Sequence, residues 1–339
     1  MPKMRAMIVS QPGGRFRMEE RDLPDPGPHE VRIRVHACGV CHSDALIVEG
    51  HMPGLGYPRI PGHEVIGVID ALGASVEGWD VGARVGVGWF GGSCNHCRHC
   101  RQGDRFACEN VRGATGVTRD GGYATHMLAL ASALAHVPEA LDPVESAPLL
   151  CAGITTFNAL RNCGARPGDL VAIHGVGGLG HLAIQFAARQ GFRTVAVNRG
   201  RDKEALARSL GAHDYIDSAV GDPAQALQAM GGAKAIIATV TSAEAMQAIA
   251  GGLGVNGTMM VIGAVGALTV NSLDLLGKRA SVRGWYGGTA VDSEDTLLFS
   301  QRNGIAVMNE IFPLEEAQAA YDRMMSGKAR FRVVLKIDS

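Results

Sequence analysis

Residues 171–191 read VAIHGVGGLGHLAIQFAARQG, and this stretch decides the fold. Val171 to Gly175 is a short apolar run after the turn Pro167-Gly168-Asp169. Gly175-Val176-Gly177-Gly178-Leu179-Gly180 then fits G-x-G-x-x-G. Leu179, Leu182, Ala183, Phe186 and Ala187 follow at i, i+3, i+4, i+7 and i+8, one apolar helical face. Gly191 stands where a C′ glycine ends a helix. A glycine run between strand and helix is the context in which the motif signals dinucleotide binding rather than an ordinary turn. Gly175 makes the tight turn, Gly177 lets backbone approach a pyrophosphate, and Gly180 allows close helix–strand packing. The helix N-terminus offers free N–H groups to the phosphates.

The same texture continues downstream. Thr194 to Val197 reads as a second strand, and Asp202 as the cap of a helix that stops at Gly211. Asp222-Pro223 is an N-cap with proline at N1. Ala235 to Val240 and Thr258 to Ile262 read as further buried strands. Strands alternating with helices predict a doubly wound parallel sheet, an α/β Rossmann arrangement. The motif expects an acidic residue about 20 positions on, to bind the ribose hydroxyls. The second strand instead ends in neutral Asn198, with Arg199 and Arg201 after it. That end suits a 2′-phosphate, so NADP is expected over NAD.

On both sides the texture is different. Residues 1 to about 150 are β-rich and irregular. Met4 to Val9, Val31 to Ala37 and Val81 to Val87 are short and β-branched. Val31, Ile33 and Val35 alternate with Arg32, Arg34 and His36, the period of a half-solvated strand. Pro24, Pro26 and Pro28 mark the loop before it. In the tail, Pro313 is expected to open a helix ended by Gly327, and Phe331 to Ile337 reads as a closing strand.

Cysteine spacing carries the chemistry. Cys94, Cys97, Cys100 and Cys108 form C-x2-C-x2-C-x7-C. Two-residue gaps let neighbouring thiolates turn onto one ion, and four thiolates close a tetrahedral shell, so this site should be a structural zinc. An iron–sulfur cluster would use the same thiolates, but nothing else in the chain suggests electron transfer. Cys41 lies in Cys38-Gly39-Val40-Cys41-His42-Ser43-Asp44, and His63 in Pro61-Gly62-His63-Glu64. Each alone is a weak signal, since a single buried Cys or His is usually packing. Their co-occurrence with a thiolate cluster and a nucleotide motif argues for a second metal.

These motifs, with Leu150-Cys151-Ala152-Gly153, give the chain a resemblance over essentially its whole length. It resembles the zinc-dependent alcohol dehydrogenases of the medium-chain dehydrogenase/reductase family. The resemblance implies a β-rich GroES-like catalytic domain over 1–152 and 290–339 and a Rossmann domain over 153–289. Because the Cys2His zinc site is a known property of this family, it implies Cys41, His63 and Cys151 as catalytic zinc ligands. Glu64 would be the nearby carboxylate able to approach the metal, and Asp44 the acid that orients the histidine ligand. Ser43 would take the alcohol proton. His42 and Arg332 would contact the cofactor pyrophosphate, and Trp89 and Phe90 would line the substrate pocket. Many relatives place a proton-relay histidine five positions after the first cysteine ligand; this chain has Leu46 there. His51 could stand in, though it reads as an ordinary loop histidine.

The expected reaction is hydride transfer between a primary or secondary alcohol and NAD(P), reversed with an aldehyde or ketone. Zinc can lower the pKa of bound water from about 15.7 to near 7, worth about 12 kcal/mol at roughly 1.4 kcal/mol per unit. The resemblance also implies a homodimer or homotetramer. Polyol dehydrogenases of the family often carry glutamate where Cys151 stands, which favours simple alcohols.

Composition agrees. The chain has 339 residues, 32 basic against 33 acidic and a net charge of -1. No broad positive field suits a nucleic acid or an anionic membrane, so a zinc-ribbon nucleic-acid module is disfavoured. A zinc-free reductase of the same superfamily would lack the ligand set. The amino terminus has no signal-peptide pattern, and no apolar run is long enough to span a bilayer. Eight cysteines in such a chain point to metal rather than disulfides, and a cytoplasmic location is expected.

Overall fold

A computed structural model describes residues 2–52, 54–111 and 113–338. The chain divides into two units, Met1–Cys151 with Gly288–Ser339, and Ala152–Gly287.

The second unit is built on a six-stranded sheet in which every neighbouring pair is parallel. In chain order its strands are Leu170–His174, Arg193–Asn198, Asp214–Asp217, Ala233–Ala238, Leu253–Val261 and Ser281–Gly284. Their spatial order is 3-2-1-4-5-6, the Rossmann order. Leu170–His174 is buried at every position because helices cover both faces, which explains its unbroken apolar run. The helix after it spans Gly180–Arg189, and Gly191 ends it at φ +82°.

Two details differ from the sequence reading. The helix over Glu204–Ser209 is preceded by Lys203, not capped by Asp202. Pro313 closes the strand Asn309–Pro313 rather than opening a helix. A 3-10 turn, Leu314–Glu316, leads into the helix Ala317–Met325. Proline lacks the N–H a central strand needs, but an edge strand tolerates it at its end.

The first unit centres on a seven-stranded, largely antiparallel sheet. Its middle strand, Glu30–Val40, buries Val31, Ile33 and Val35 and leaves Arg32, Arg34 and His36 half-exposed. From Ala37 onward both faces are buried. It pairs with Val65–Leu72 on one side and with the closing strand Arg332–Lys336 on the other. Cys38 stands opposite Val65 and Val40 opposite Val333. This register gathers the end of one strand (Cys41), the start of the next (Glu64) and the start of the last (Arg332) at one edge of the sheet. The chain therefore collects site residues from three remote segments by β pairing alone. Behind this sheet sits a core including Ile33, Ile47, Ile69, Tyr123 and Leu335.

Candidate active site and metal centres

Cys41, His63, Glu64 and Cys151 offer a sulfur, a ring nitrogen or a carboxylate oxygen, all within 4.8 Å of one another. The Cys41 and Cys151 sulfurs are 3.8 Å apart. Cys41 opens the 3-10 turn His42–Asp44, and Cys151 ends the turn Ala147–Leu150. Asp44 Oδ1 is 3.0 Å from His63 Nδ1, so that nitrogen carries the proton toward the carboxylate. The other ring nitrogen, Nε2, is buried and has no hydrogen-bond partner among the described residues. Neither has Glu64 Oε2.

Buried polar atoms without partners are uncommon and need a reason. A cation held by two thiolates and an imidazole would supply it: the donor set is Cys2His, with a carboxylate in reserve, and three ligands leave one of zinc's usual four positions. The residues fit zinc. Electrostatics agree. The hydrogen bond from Cys151, helped by His63 and Arg332 against the effect of burial, holds the Cys41 thiol well below its ordinary range. Burial pushes the Glu64 carboxyl up to about 8, against the pull of Arg332. Arg332 itself is buried and makes a short ion pair with Glu64 through an Nη, while its Nε is left without a hydrogen-bond partner.

His42 is exposed, and Ser43 and Leu46 are half-buried. Trp89 lies edge-on to the His63 ring, with centroids 5.0 Å apart. Phe90 is buried and bridges Ala114 through its backbone. His51 is exposed.

Cys94, Cys97, Cys100 and Cys108 form a second group with sulfurs within 4.8 Å of one another. No cysteine of the chain is disulfide-bonded. Backbone N–H groups of Cys94 and Val111 donate to Cys108 Sγ, and that of Cys97 donates to Cys94 Sγ, all at 3.3–3.4 Å. The Asn110 side chain adds a further donor to Cys94 Sγ at 3.3 Å. Against the effect of burial, the backbone N–H groups of His96 and Cys97, with the Cys108 and Asn110 side chains, hold the Cys94 thiol down to about 6, whereas burial pushes Cys100 up to about 12. The loop's own apolar cluster is these four cysteines and Val111. The four sulfurs fit a metal ion, which would stand in for a core.

In the second unit the glycine loop follows the first strand. Gly175 sits at φ +100°, a conformation an L side chain rarely adopts. A Cβ on Gly180 would fall inside the van der Waals envelope of the Gly175 carbonyl oxygen. Gly180→Ala is therefore expected to destabilise the chain by about 3 kcal/mol through overpacking. A denaturant midpoint unchanged from the parent would refute it.

Sequence reasoning named Asn198 at the strand end but missed the other residues that brace this loop. Thr239 Oγ1 donates to the His174 and Gly175 carbonyls at 2.9 and 3.3 Å. Lys203 Nζ donates to the Val176 carbonyl at 2.7 Å, and Asn198 Oδ1 accepts from the Val176 N–H at 3.1 Å. Thr239 and Lys203 lie outside the motif, with no local spacing to flag them. Tyr123, which donates to Asp44 at 2.8 Å, was missed for the same reason.

Two family models match the chain, the alcohol dehydrogenase GroES-like domain over residues 27–139 and the zinc-binding dehydrogenase domain over 178–300. The alcohol dehydrogenase notN of Aspergillus sp. (strain MF297-2) is 43% identical, covering 98% of this chain and 97% of that protein. The chain belongs to the zinc-dependent alcohol dehydrogenases of the medium-chain dehydrogenase/reductase family. Solved members superpose over nearly its full length. The CAD of Helicobacter pylori, complexed with NADP(H), is 26% identical with a TM-score of 0.87 and covers 98% of both chains. A cobalt- and zinc-bound thermostable alcohol dehydrogenase from Pyrobaculum aerophilum is 27% identical with a TM-score of 0.87, covering 99% of this chain and 100% of that one. This dehydrogenase accordingly combines a GroES-like and a Rossmann unit, and it is an oxidoreductase acting on alcohols and their carbonyl partners.

Proposed function

We propose that this dehydrogenase oxidises primary or secondary alcohols with NADP at a zinc held by Cys41, His63 and Cys151, and keeps a second, structural zinc on Cys94, Cys97, Cys100 and Cys108. The observation that carries the reading is the unpartnered His63 Nε2, buried beside two thiols and a carboxylate. Bound zinc would supply Lewis acidity, lowering the pKa of a coordinated alcohol and polarising a carbonyl in reverse. The nicotinamide would supply the hydride acceptor.

The chain's own residues do the rest. Asp44 fixes the His63 tautomer by accepting the Nδ1 proton, which frees Nε2 to ligate. Ser43, between Cys41 and Asp44, takes the alcohol proton. Leu46 has no titratable group to take the proton on, so its release from Ser43 would fall to solvent and to hydroxyls of a bound cofactor. Glu64 waits beside the ligands as an exchangeable carboxylate, with its charge balanced by Arg332. The loop Gly175, Gly177, Gly178, Leu179 and Gly180 would bind the cofactor diphosphate, a role the family resemblance also gives to His42 and Arg332, the latter paired here with Glu64. Trp89, against His63, walls the substrate side, with Phe90 next to it.

Cofactor choice rests on the end of the strand Arg193–Asn198. Both polar groups of Asn198 are used within the chain, on Val176 and Arg199. The strand itself ends without a carboxylate, although Asp217 stands opposite Asn198 on the neighbouring strand, where its Oδ1 accepts from the Gly200 N–H at 2.7 Å. Exposed Arg199 is the group offered to a 2′-phosphate, while exposed Arg201 faces Glu204 at 4.0 Å. A charge-assisted hydrogen bond is worth roughly 1.5–3 kcal/mol, so Arg199→Ala should lower kcat/KM for NADP by about 10- to 100-fold and leave NAD unchanged. A parent enzyme that strongly prefers NAD ends this part of the proposal.

The family resemblance supports a homodimer or homotetramer, and eight cysteines without a disulfide are consistent with a reducing compartment such as the cytoplasm. Among the described residues no helix is long and apolar enough to cross a membrane. Elemental analysis beside a cofactor-coupled alcohol screen tests the whole reading. Two zinc ions per chain and turnover of simple alcohols are expected; a metal-free active protein overturns it.

A further inference from the structure

The carboxylate that orients His63 has further donors. Asp44 Oδ1 pairs with His63 Nδ1 at 3.0 Å, while Oδ2 accepts from the Cys41 backbone N–H at 2.9 Å and from the Tyr123 hydroxyl at 2.8 Å. Three partners on two oxygens leave the carboxylate a single orientation. Through it, a proposed histidine ligand and the backbone of a proposed cysteine ligand are tied to one phenol.

That phenol is itself immobilised. Tyr123 is fully buried. Its ring lies against Gly62 and Cys38, and a Cβ added at Gly62 would meet the Tyr123 ring and Cys38 Sγ. Backbone bonds pin its segment to the loop that carries His63: Gly121 donates to Ile60 at 2.7 Å, and Gly122 and Tyr123 donate to Gly62 and Pro61 at 3.0 Å. Phe16 packs on the ring with centroids 5.8 Å apart. The hydroxyl therefore has a fixed height relative to both His63 and the strand leading to Cys41.

We propose that Tyr123 is a positioning residue for the catalytic metal centre, its hydroxyl acting through Asp44 to set His63 and Cys41 together. The inference rests on the reading of Cys41, His63 and Cys151 as zinc ligands. If the ring only fills space, the hydroxyl is dispensable; if it positions the ligands, losing one oxygen alters the metal site.

Tyr123→Phe keeps the ring and its packing and removes only that donor. In the zinc-loaded enzyme, transfer of each zinc to a chromogenic chelator is timed, and the cobalt-substituted protein gives a d–d spectrum of the catalytic site. The zinc on Cys94 to Cys108 serves as an internal control. One zinc is expected to leave about tenfold faster, the lower end of the range for partners that support ligands. The control zinc should be unchanged, the d–d bands should shift, and kcat should fall while the cofactor KM holds. In an Asp44→Asn background the same change should add nothing, because the effect runs through Asp44. Unchanged release and unchanged d–d bands in Tyr123→Phe overturn the inference, whatever happens to its melting temperature. So does full additivity with Asp44→Asn. A parent enzyme holding zinc only on Cys94 to Cys108 overturns the ligand reading beneath it, and that failure is visible before any variant is made.

Discussion

Cys41→Ser is expected to abolish alcohol oxidation while the chain stays folded. Bound zinc would remove much of the cost of ionising the alcohol. A drop of about nine pKa units corresponds to roughly 12 kcal/mol, so losing the ion leaves at least a 10⁵-fold deficit, on the order of half that free energy. Serine is a poor zinc ligand at neutral pH, and removing one of two thiolates breaks the Cys2His set. The fold should survive because Cys41 stands at the end of a strand, not within the apolar core, which is built by residues such as Ile33, Ile47 and Leu335. The buried hydroxyl should destabilise by about 1–3 kcal/mol. The measurements are zinc content, falling from two ions to one per chain, and kcat/KM with the best alcohol found. Full activity in this variant would refute the assignment of Cys41.

The opposite pattern is expected at the other cluster. Cys100→Ser should leave the catalytic ligands in place and unfold the loop around residues 94–108. Among the described residues, that loop's apolar cluster is its cysteines and Val111. Metal binding in comparable small sites contributes about 10–16 kcal/mol to folding, so without it the loop's local stability falls to around zero. Arg98, Arg101 and Arg105 are exposed there, and each becomes a tryptic site once the backbone can extend. Limited proteolysis should cut the variant within this loop orders of magnitude faster than the parent. Equal resistance in the two proteins would mean that the loop holds itself together without metal.

The two clusters also differ in how legible they were. The four thiolates of the loop span 15 positions, so their chemistry is written in their spacing. The same holds for the glycine motif, where strand, turn and helix are consecutive and the apolar period is local. Cys41, His63 and Cys151 are far apart in the chain, and no spacing rule joins them. Family resemblance named them; β pairing brings Cys41 and His63 together, and the turn Ala147–Leu150 delivers Cys151 to them. Capping was less legible. Asp202 resembled an N-cap and Pro313 a helix start, but packing moved each boundary.

Local physics was enough to determine the class of each unit: periodicity set strands against helices, and short ligand spacings announced metal and nucleotide. Tertiary structure alone decided which polar atoms are partnered. Asn198 is tied to Val176, Arg332 to Glu64 and Tyr123 to Asp44, pairs separated by tens to hundreds of residues. The reason is that a hydrogen bond acts over about 3 Å, so its partners are settled only when the chain has packed, whereas burial periodicity is already present in the order of the side chains.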